Sequence, residues 1–186
     1  MASPFLSCIN SVLGRLGAIP NTWTVPKGRA ANLFQYVAMW NNQVERQKEG
    51  KVEFDTPAAF LELIHPIKWN QLNFGVNQAD ITFRVHIVDQ QIDASDGTLD
   101  QNLEVFGYRD AVMVALGGGF APAFGSTMSS LKEDTDNNHT NIYHYMIDFV
   151  SAVVDSKGSP FDPDSSMIGT TPPTNAEIDV SITTSY

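Results

Sequence analysis

The chain has 186 residues, 42% hydrophobic and 17% charged, which is typical of one folded domain with a sizeable core. Its formal net charge of −10 argues against a nucleic-acid-binding face, because phosphate affinity comes from clustered Lys and Arg. The single cysteine, Cys8, excludes an internal disulfide and any multi-cysteine metal site, and suits a reducing compartment. No apolar run approaches ~20 residues and no signal-peptide pattern opens the chain, so neither a membrane span nor a signal peptide is predicted.

The first predicted element is a helix from Ser3 to Leu16. Ser3 can serve as the N-cap, and Pro4 suits the first helical position because it needs no backbone donor there. Gly17 and Pro20 end the helix. One apolar stripe follows the helical period and predicts the buried side, and it contains Phe5, Ile9, Val12, Leu13 and Leu16.

The segments that follow are shorter and less regular. Thr22–Val25 is predicted to be extended, and the basic, glycine-containing Lys27–Arg29 comes next. Phe34–Trp40 is either a strand or a short helix, because periodicity alone does not distinguish the two. Asn41–Glu53 is polar and is predicted to be a solvated loop or a helical turn.

The centre of the chain, Pro57–Asp89, is predicted to be a long antiparallel hairpin. Its first strand begins with the apolar run Ala59–Ile64, and the turn lies at Leu72–Gly75. Pro66 cannot donate to a central ladder and therefore implies a bulge or an edge position. The second strand alternates with period 2: one face carries Ile81, Phe83, Val85 and Ile87, and the other carries Thr82, Arg84 and His86.

A second helix is predicted after the turn Asp93–Gly97. Thr98–Gln101 has the spacing of a capping box, in which the threonine bonds forward and the glutamine reaches back. The glycines Gly117–Gly119 end the helix. The side expected to be buried carries Leu99, Leu103, Phe106, Met113 and Leu116.

The last third of the chain is predicted to contain a strand over Phe124–Leu131, a polar tip over Lys132–Thr140 and a strand over Ile142–Val154. Beyond Asp155 the residues Ser, Pro, Thr and Asp dominate, as in a linker or arm, until Glu177–Tyr186 alternates like an added strand. The predicted fold is α+β: a single domain, residues 1–155, with an antiparallel sheet packed by helices on one face. Residues 156–186 form an extended C-terminal arm.

An aspartate-containing stretch, Asp134–Asn138, places oxygens at alternate positions like the first half of a calcium loop. The sixth position, which should be glycine, is His139, and the twelfth, which should be glutamate, is Tyr145. The missing ligands favour a solvated hairpin tip instead.

The histidines also suggest a metal, but weakly. His139 and His144 could bind one together with Asp136, yet two strand residues five positions apart point to opposite faces. His65 and His86 fall on the central hairpin, where a partly buried, hydrogen-bonded histidine is the ordinary interpretation. The sequence therefore predicts no metal site.

Other candidate groups have structural explanations. The triple glycine follows a helix and lacks a Lys-Ser/Thr after it, so it is a C-cap and no phosphate cradle. Cys8 has no histidine nearby in sequence, and no Gly-x-Ser-x-Gly elbow is present. Four carboxylates cluster at a turn and a helix start: Asp89, Asp93, Asp96 and Asp100. The helix dipole explains the last two. We expect no catalytic residue, no cofactor and no enzyme activity.

Seven features carry a family resemblance. In chain order they are the N-terminal helix, Met39–Gln43, Pro57–Glu62, Trp69 with Gly75 and Val76, Ala79–Val88, Asp96–Gln101, and Asp136–His139 before the last strand. Their order and spacing, over roughly residues 3 to 154, resemble those of the tail-terminator (tail-completion) proteins in the neck of long-tailed bacteriophages, particularly phages and prophages of the Bacteroides type.

The resemblance implies a homo-oligomeric ring, usually a hexamer, that sits on the last ring of the tail-tube protein. Such a ring stops tube growth and presents a surface to the head–tail connector protein. Its place would be the virion neck, after assembly in the cytoplasm of the bacterial host, with no membrane partner. DNA would pass through the lumen without specific binding, and an acidic chain suits this because counterion-releasing contacts would hold the DNA.

Three alternatives stay open. Two are virion components: another neck connector ring, or a tail-tube subunit, which would polymerise alone into long tubes. The third is a metal-dependent hydrolase that uses Asp134, Asp136 and His139. The arm is longer than the resemblance implies, and we expect Glu177–Ser185 to add to a sheet edge of its own or a neighbouring subunit.

Overall fold

The structure is a computed structural model, and it describes residues 3–21, 31–48, 54–73, 75–90, 99–136 and 142–157. Three helices are present in these ranges: α1 (Pro4–Gly17), α2 (Gln43–Lys48) and α3 (Leu99–Val112), which continues as a π-helical turn over Met113–Gly117. The strands are β1 (Tyr36–Met39), β2 (Ala58–Leu63), β3 (Asn70–Asn73), β4 (Val76–Gln90), β5 (Ser129–Asp136) and β6 (Ile142–Asp155).

The six strands form one mixed sheet in the order β1-β2-β4-β6-β5, with β3 pairing to β4 beside β2. The α+β prediction is confirmed; the sheet pairs antiparallel as expected, except that β1 and β2 run parallel. The chain between them passes through α2, and a crossover of this kind returns the second strand in the direction of the first. The ambiguous segment Phe34–Trp40 is therefore a strand at Tyr36–Met39.

The central hairpin is present, with its first arm interrupted. Leu63 pairs with Phe83 and Asn70 pairs with Gln78. Between these two pairs the chain advances by seven residues in the first arm and by five in the second. The two extra residues lie in the irregular segment 64–69, which contains Pro66 and separates β2 from β3. Pro66 was predicted to mark a bulge or an edge position, and it lies where pairing along the first arm is interrupted.

Alternation along β4 gives the sheet two faces. The core face carries Ile81, Phe83, Val85 and Ile87, all with no exposed surface, as the period-2 pattern predicted. Helices α1 and α3 pack against this face. The second face carries Thr82, Arg84, His86 and Val88.

Helix α1 has the predicted cap and stripe. The backbone N–H of Leu6 donates to Ser3 Oγ over 3.1 Å, and Pro4 occupies the first turn. Ile9, Val12 and Leu16 are buried in the core, with Phe5 and Leu13 packed against it. The local sequence signals and the tertiary contacts therefore select the same helix face.

The predicted buried side of α3 was wrong at Phe106, which is 52% exposed. Leu116 is buried as predicted, and it is joined by Tyr108, Val112 and Ala115 of a second apolar stripe with helical spacing. Met113 still packs against the core. The side chains of Leu99 and Leu103 lie outside the described residues.

The last edge of the sheet differs from the prediction. Strand β5 spans Ser129–Asp136 and not Phe124–Leu131, so residues expected in a polar tip are in a strand. Phe124 has a positive φ of 59°, a left-handed backbone that ends extended structure before β5 begins. Much of the surface of an edge strand is exposed to water, so a polar sequence can still pair with the neighbouring strand. The strand over Ile142–Val154 is confirmed as β6.

One end of the second face has its own small core. The helical turn offered for Asn41–Glu53 is present as α2, and its Val44 packs with Phe54, Ala58, Phe60 and Val88. Val44 is 1% exposed. This apolar cluster covers one end of the second face, and polar side chains occupy the next part of the same face.

Several predictions lie outside the described residues and stay predictions: the extended piece Thr22–Val25, the turn Asp93–Gly97, the threonine of the capping box and the strand Glu177–Tyr186. The last described strand ends at Asp155, at the predicted limit of the domain.

Candidate functional site

A band of polar side chains crosses the second face of the sheet. Strand register places Glu62 of β2 beside Arg84 of β4, and Arg84 beside Asp148 of β6. Four residues further along β4 and β6, His144 of β6 pairs with Val88 on one side and Asp136 of β5 on the other. The sheet thus brings charged residues from four strands onto one surface.

Two histidines form the buried centre of this polar band. His86 and His144 are 3% and 5% exposed. His86 Nδ1 lies 2.8 Å from His144 Nε2, and His86 Nε2 lies 3.0 Å from Glu62 Oε2. On the far side, His144 Nδ1 is 3.6 Å from Asp136 Oδ2. The result is a chain of contacts from carboxylate to histidine to histidine to carboxylate.

The two imidazole rings meet edge to edge. Their centroids are 5.1 Å apart, and His86 Nδ1 lies 2.8 Å from His144 Nε2. The difference equals one ring radius for each imidazole, so the two centroids and the two nitrogens lie on one line. The two nitrogens therefore point directly at each other, as in an N–H···N hydrogen bond. A metal ion bound by both nitrogens would need their lone pairs to converge on a third point, and this arrangement does not provide that.

Trp40 covers the histidine pair. Its ring stacks on His86 with centroids 4.0 Å apart and planes within 5°, and it lies 5.4 Å from the ring of His144. The backbone N–H of Trp40 donates to the carbonyl of Leu61, which extends the alignment of β1 with β2. The indole therefore shields one side of His86 from water.

Arg84 adds an ion pair next to the histidines. Its Nε and Nη2 donate to the two carboxylate oxygens of Asp148 over 2.7 and 2.9 Å, and its Nη1 is 4.0 Å from Glu62. The hydrogen bond to Asp148 raises the pKa of Arg84, and partial burial opposes that increase. This two-point geometry holds β4 and β6 in register.

Burial is the main cause that lowers the pKa of His86, to about 3, followed by the charges of His144 and Arg84. A neutral His86 must choose one tautomer. Its Nε2 faces Glu62, so the favourable choice is an Nε2–H that donates to the carboxylate, with Nδ1 accepting from His144. In this arrangement one hydrogen bond joins the two rings and a second joins His86 to Glu62.

On the core-face side of the sheet, a second polar cluster ties α3 to β5 and β6. Arg109 Nε donates to Glu133 Oε2 over 2.8 Å, and the hydroxyl of Tyr145 donates to the same oxygen. The bond from Arg109 lowers the pKa of Glu133, with a smaller contribution from Tyr145. Burial, followed by the bond to Glu133, raises the pKa of Tyr145 to about 12. This cluster anchors α3 to the sheet.

The sequence-based metal candidates are only partly brought together. Asp136 does lie beside His144, as the metal hypothesis required, but Asp134 bonds instead to Lys132 Nζ and to its neighbour's backbone N–H, both over 2.9 Å. His139 lies outside the described residues. Within the described ranges, no group of three or more His, Cys, Asp or Glu side chains could hold a metal ion.

The remaining candidates are structural. His65 is exposed between β2 and β3, so the expected partial burial was wrong there, while it is confirmed at His86. Burial raises the pKa of the Cys8 thiol to about 11, which keeps it protonated and unreactive at neutral pH. Gly118 and Gly119 follow the π-helical turn. A Cβ on Gly118 would lie 2.5 Å from the Val114 carbonyl, and Gly119 has a φ of 95°.

A groove of about 380 Å³ lies between the end of α1 and the outer side of α3. Ile19, Ala111 and Val114 contribute apolar surface, with Arg15 and Asp110 also lining it. Arg15 Nε is already committed to the carbonyl of Ala115 over 3.1 Å. The groove and the polar band are therefore on opposite sides of the sheet.

The histidine pair could not be found from local sequence. The available signal was the alternation that placed Arg84 and His86 on the face opposite the apolar residues.

No helix in the described ranges is both long and apolar enough to cross a membrane. No protein-family model matches the chain, and a search of curated proteins returns no match.

Proposed function

We propose that the protein is a structural component of a bacteriophage virion. In this proposal it forms a closed ring at the head-proximal end of the tail, ends tail-tube growth and joins the tail to the head connector. The starting point is the order and spacing of segments over roughly residues 3 to 154. The structural observation that carries it further is a sheet with two unlike, accessible edges.

The first edge is β1, which pairs on one side with β2. It is four residues long and carries exposed apolar side chains: Tyr36 is 43% exposed and Met39 is 38% exposed. Exposed apolar groups on a strand edge favour contact with another protein surface, because burial removes them from water.

The second edge is β5, which pairs on one side with β6. Its exposed side chains include Leu131, which is 59% exposed, and the Lys132–Asp134 ion pair. The register shifts between Ser130 and Lys132, where the strand bulges. This edge differs from β1 in length, charge and shape.

Unlike edges suit a ring. When one surface of a subunit contacts a different surface of the next, repetition of the contact gives a closed ring if the rotation closes. The proposed ring places the β1 edge of one copy against the β5 edge of its neighbour. The net charge of −10 supports passage of DNA through such a ring, because few cations are present to hold phosphates.

Negative-stain electron microscopy of the purified full chain, alone and with tubes of the cognate tail-tube protein, tests the proposal. We expect closed rings, in solution or capping tube ends, and tubes that stop growing when the protein is added. Long tubes of this protein alone would favour a tail-tube subunit instead. Monomers at high concentration that also leave tubes uncapped would contradict a ring.

The edge contact is tested by Leu131→Arg, which places a charge where the proposed neighbour packs. The matched control is Leu6→Arg on α1, which is 47% exposed and belongs to neither edge strand. We expect Leu131→Arg to reduce ring formation at least about tenfold, the result of losing about 1.4 kcal/mol per contact, while the control assembles normally. Equal assembly by both variants would remove β5 from the interface.

A further inference from the structure

The contacts between Glu62, His86, His144 and Asp136 restrict where protons can lie. A neutral imidazole carries one N–H and an imidazolium carries two. The 2.8 Å contact between the rings uses one proton, whichever ring donates it. Each outer nitrogen faces a carboxylate oxygen, at 3.0 Å for His86 and 3.6 Å for His144. A lone pair facing a carboxylate is repulsive, so both contacts are attractive only if both outer nitrogens also carry protons.

We propose that His86 and His144 form a proton-binding pair that holds three ring protons at neutral pH, one more than two neutral rings hold. A single positive charge then lies between Glu62 and Asp136. In this arrangement His86 donates from Nε2 to Glu62 and accepts at Nδ1. His144 donates from Nε2 to His86 and presents Nδ1–H to Asp136.

The charged groups around the pair favour one extra proton. Carboxylates face it from three strands: Glu62 of β2, Asp136 of β5 with Asp134 further along the strand, and Asp148 of β6. The cations are Arg84, bonded to Asp148, and Lys132, bonded to Asp134. With four carboxylates and two cations, the band has an excess of negative charge that one imidazolium reduces.

A fourth proton is opposed by the same surroundings. It would have to occupy His86 Nδ1, which is already accepting from His144. Burial and the nearby charges of His144 and Arg84 lower the pKa of His86 to about 3, in agreement with a neutral His86. Trp40 stacks on this ring and limits access of water to it. The pair is thus a site for a single proton.

The shared charge links strands across the sheet. It connects Glu62 on β2 to Asp136, the last residue of the edge strand β5. Loss of the proton at higher pH would leave the Nδ1 lone pair of His144 facing Asp136, and repulsion would loosen that end of β5. This inference goes beyond the proposed function and does not depend on it, because the proton count follows from contacts within one chain.

Nitrogen-15 NMR of the histidine rings in the full-length protein tests the proposal. His65→Gln and His139→Gln variants identify the other two histidine signals. At about pH 7 we expect both ring nitrogens of His144 and Nε2 of His86 to be protonated. With rising pH one proton should leave the pair, together with a change at the end of β5.

The variant Asp136→Asn removes the carboxylate that faces His144. We expect it to move the loss of the third proton to lower pH by about one unit or more, because an adjacent opposite charge favours the charged ring. The matched control is Asp134→Asn, the same change two residues earlier on the same face of β5, where Lys132 is the partner. A much smaller shift is expected there.

Two results would overturn the proposal. One is a wild-type pair that holds only two ring protons, or holds four, at about pH 7. The other is an equal shift in the Asp136→Asn and Asp134→Asn variants, which would make the effect one of general surface charge. The wild-type measurement decides the proton count even if a variant fails to fold.

Discussion

Adjacent residues of the same two strands stabilise the two sheet faces in different ways. On the core face Phe83 pairs with Phe149, and neither has exposed surface. One position along, on the second face, Arg84 pairs with Asp148 through two hydrogen bonds. Apolar burial of the first kind needs no particular protonation state. Charged and hydrogen-bonded contacts of the second kind depend on protons.

The comparison separates two roles within one sheet. The core face supplies most of the apolar burial, because α1, α3 and the π-helical turn all pack there. Among the described residues, the second face carries a small apolar cluster at one end, and the polar band follows it. Stability should therefore respond to side-chain volume on one face and to pH on the other.

The largest expected effect is on the core face. Phe83→Ala should lower the free energy of unfolding by roughly 3–5 kcal/mol, because it removes a large side chain from a fully buried site and leaves a cavity. Thr82→Ala, its neighbour on the partly exposed second face, should cost much less. Denaturant unfolding measures both. Equal losses would mean that the second face is covered as fully as the core face.

The second prediction concerns pH. The pKa of His86 is lowered to about 3 in the folded protein, against roughly 6.5 in an unfolded chain. Between these values the unfolded state binds more protons at His86, so its contribution is complete above about pH 6.5 and is lost as pH falls. The slope approaches about 1.4 kcal/mol per pH unit.

This slope can be assigned to one residue by comparing variants. Unfolding free energies of the wild type and His86→Gln should be measured from neutral to acidic pH. The wild type should lose stability more steeply than His86→Gln, and Thr82→Ala on the same face should keep the wild-type slope. Parallel curves for the wild type and His86→Gln would show that His86 contributes nothing to acid sensitivity.

The smallest expected effect concerns the N-terminal cap of α1, one of the helices that cover the core face. Ser3→Ala removes the side-chain acceptor of the Leu6 N–H and should cost about 1 kcal/mol. Asn10→Ala, at an exposed position within the same helix, is the control and should change stability by less than about 0.5 kcal/mol. Thermal unfolding can resolve the two. A larger cost for Asn10→Ala would contradict the role of the cap.

Local sequence signals were sufficient to predict an element correctly where two of them agreed. The Ser3–Pro4 cap coincides with an apolar stripe, and α1 has the predicted face. The alternation from Ile81 to Ile87 identified the core face of β4 and the α+β class. Pro66 marked the interruption of the first arm, because a missing donor disrupts a ladder wherever it lies.

Tertiary contacts decided the rest. Helix α3 carries two apolar stripes, and packing against α1 and the sheet selected the one through Tyr108 over the one through Phe106. The contact of His86 with His144 joins residues 58 positions apart. Periodicity indicates which face each histidine occupies, but the pairing depends on the register of β4 against β6. The sequence identified His86 as a buried, bonded histidine without identifying its partner.

The position of β6 has a consequence for synthesis of the protein. β6 lies between β4 and β5, and its ladder to β4 runs from the pair Gln90–Ile142 to the pair Asn77–Asp155. Until the ribosome has released residue 155, β4 can pair on one side only and β5 has no neighbour. Pairings this distant in sequence form slowly, and unpaired strand edges invite aggregation in the meantime. We therefore expect the yield of native protein to depend on how quickly β6 is inserted between its two neighbours.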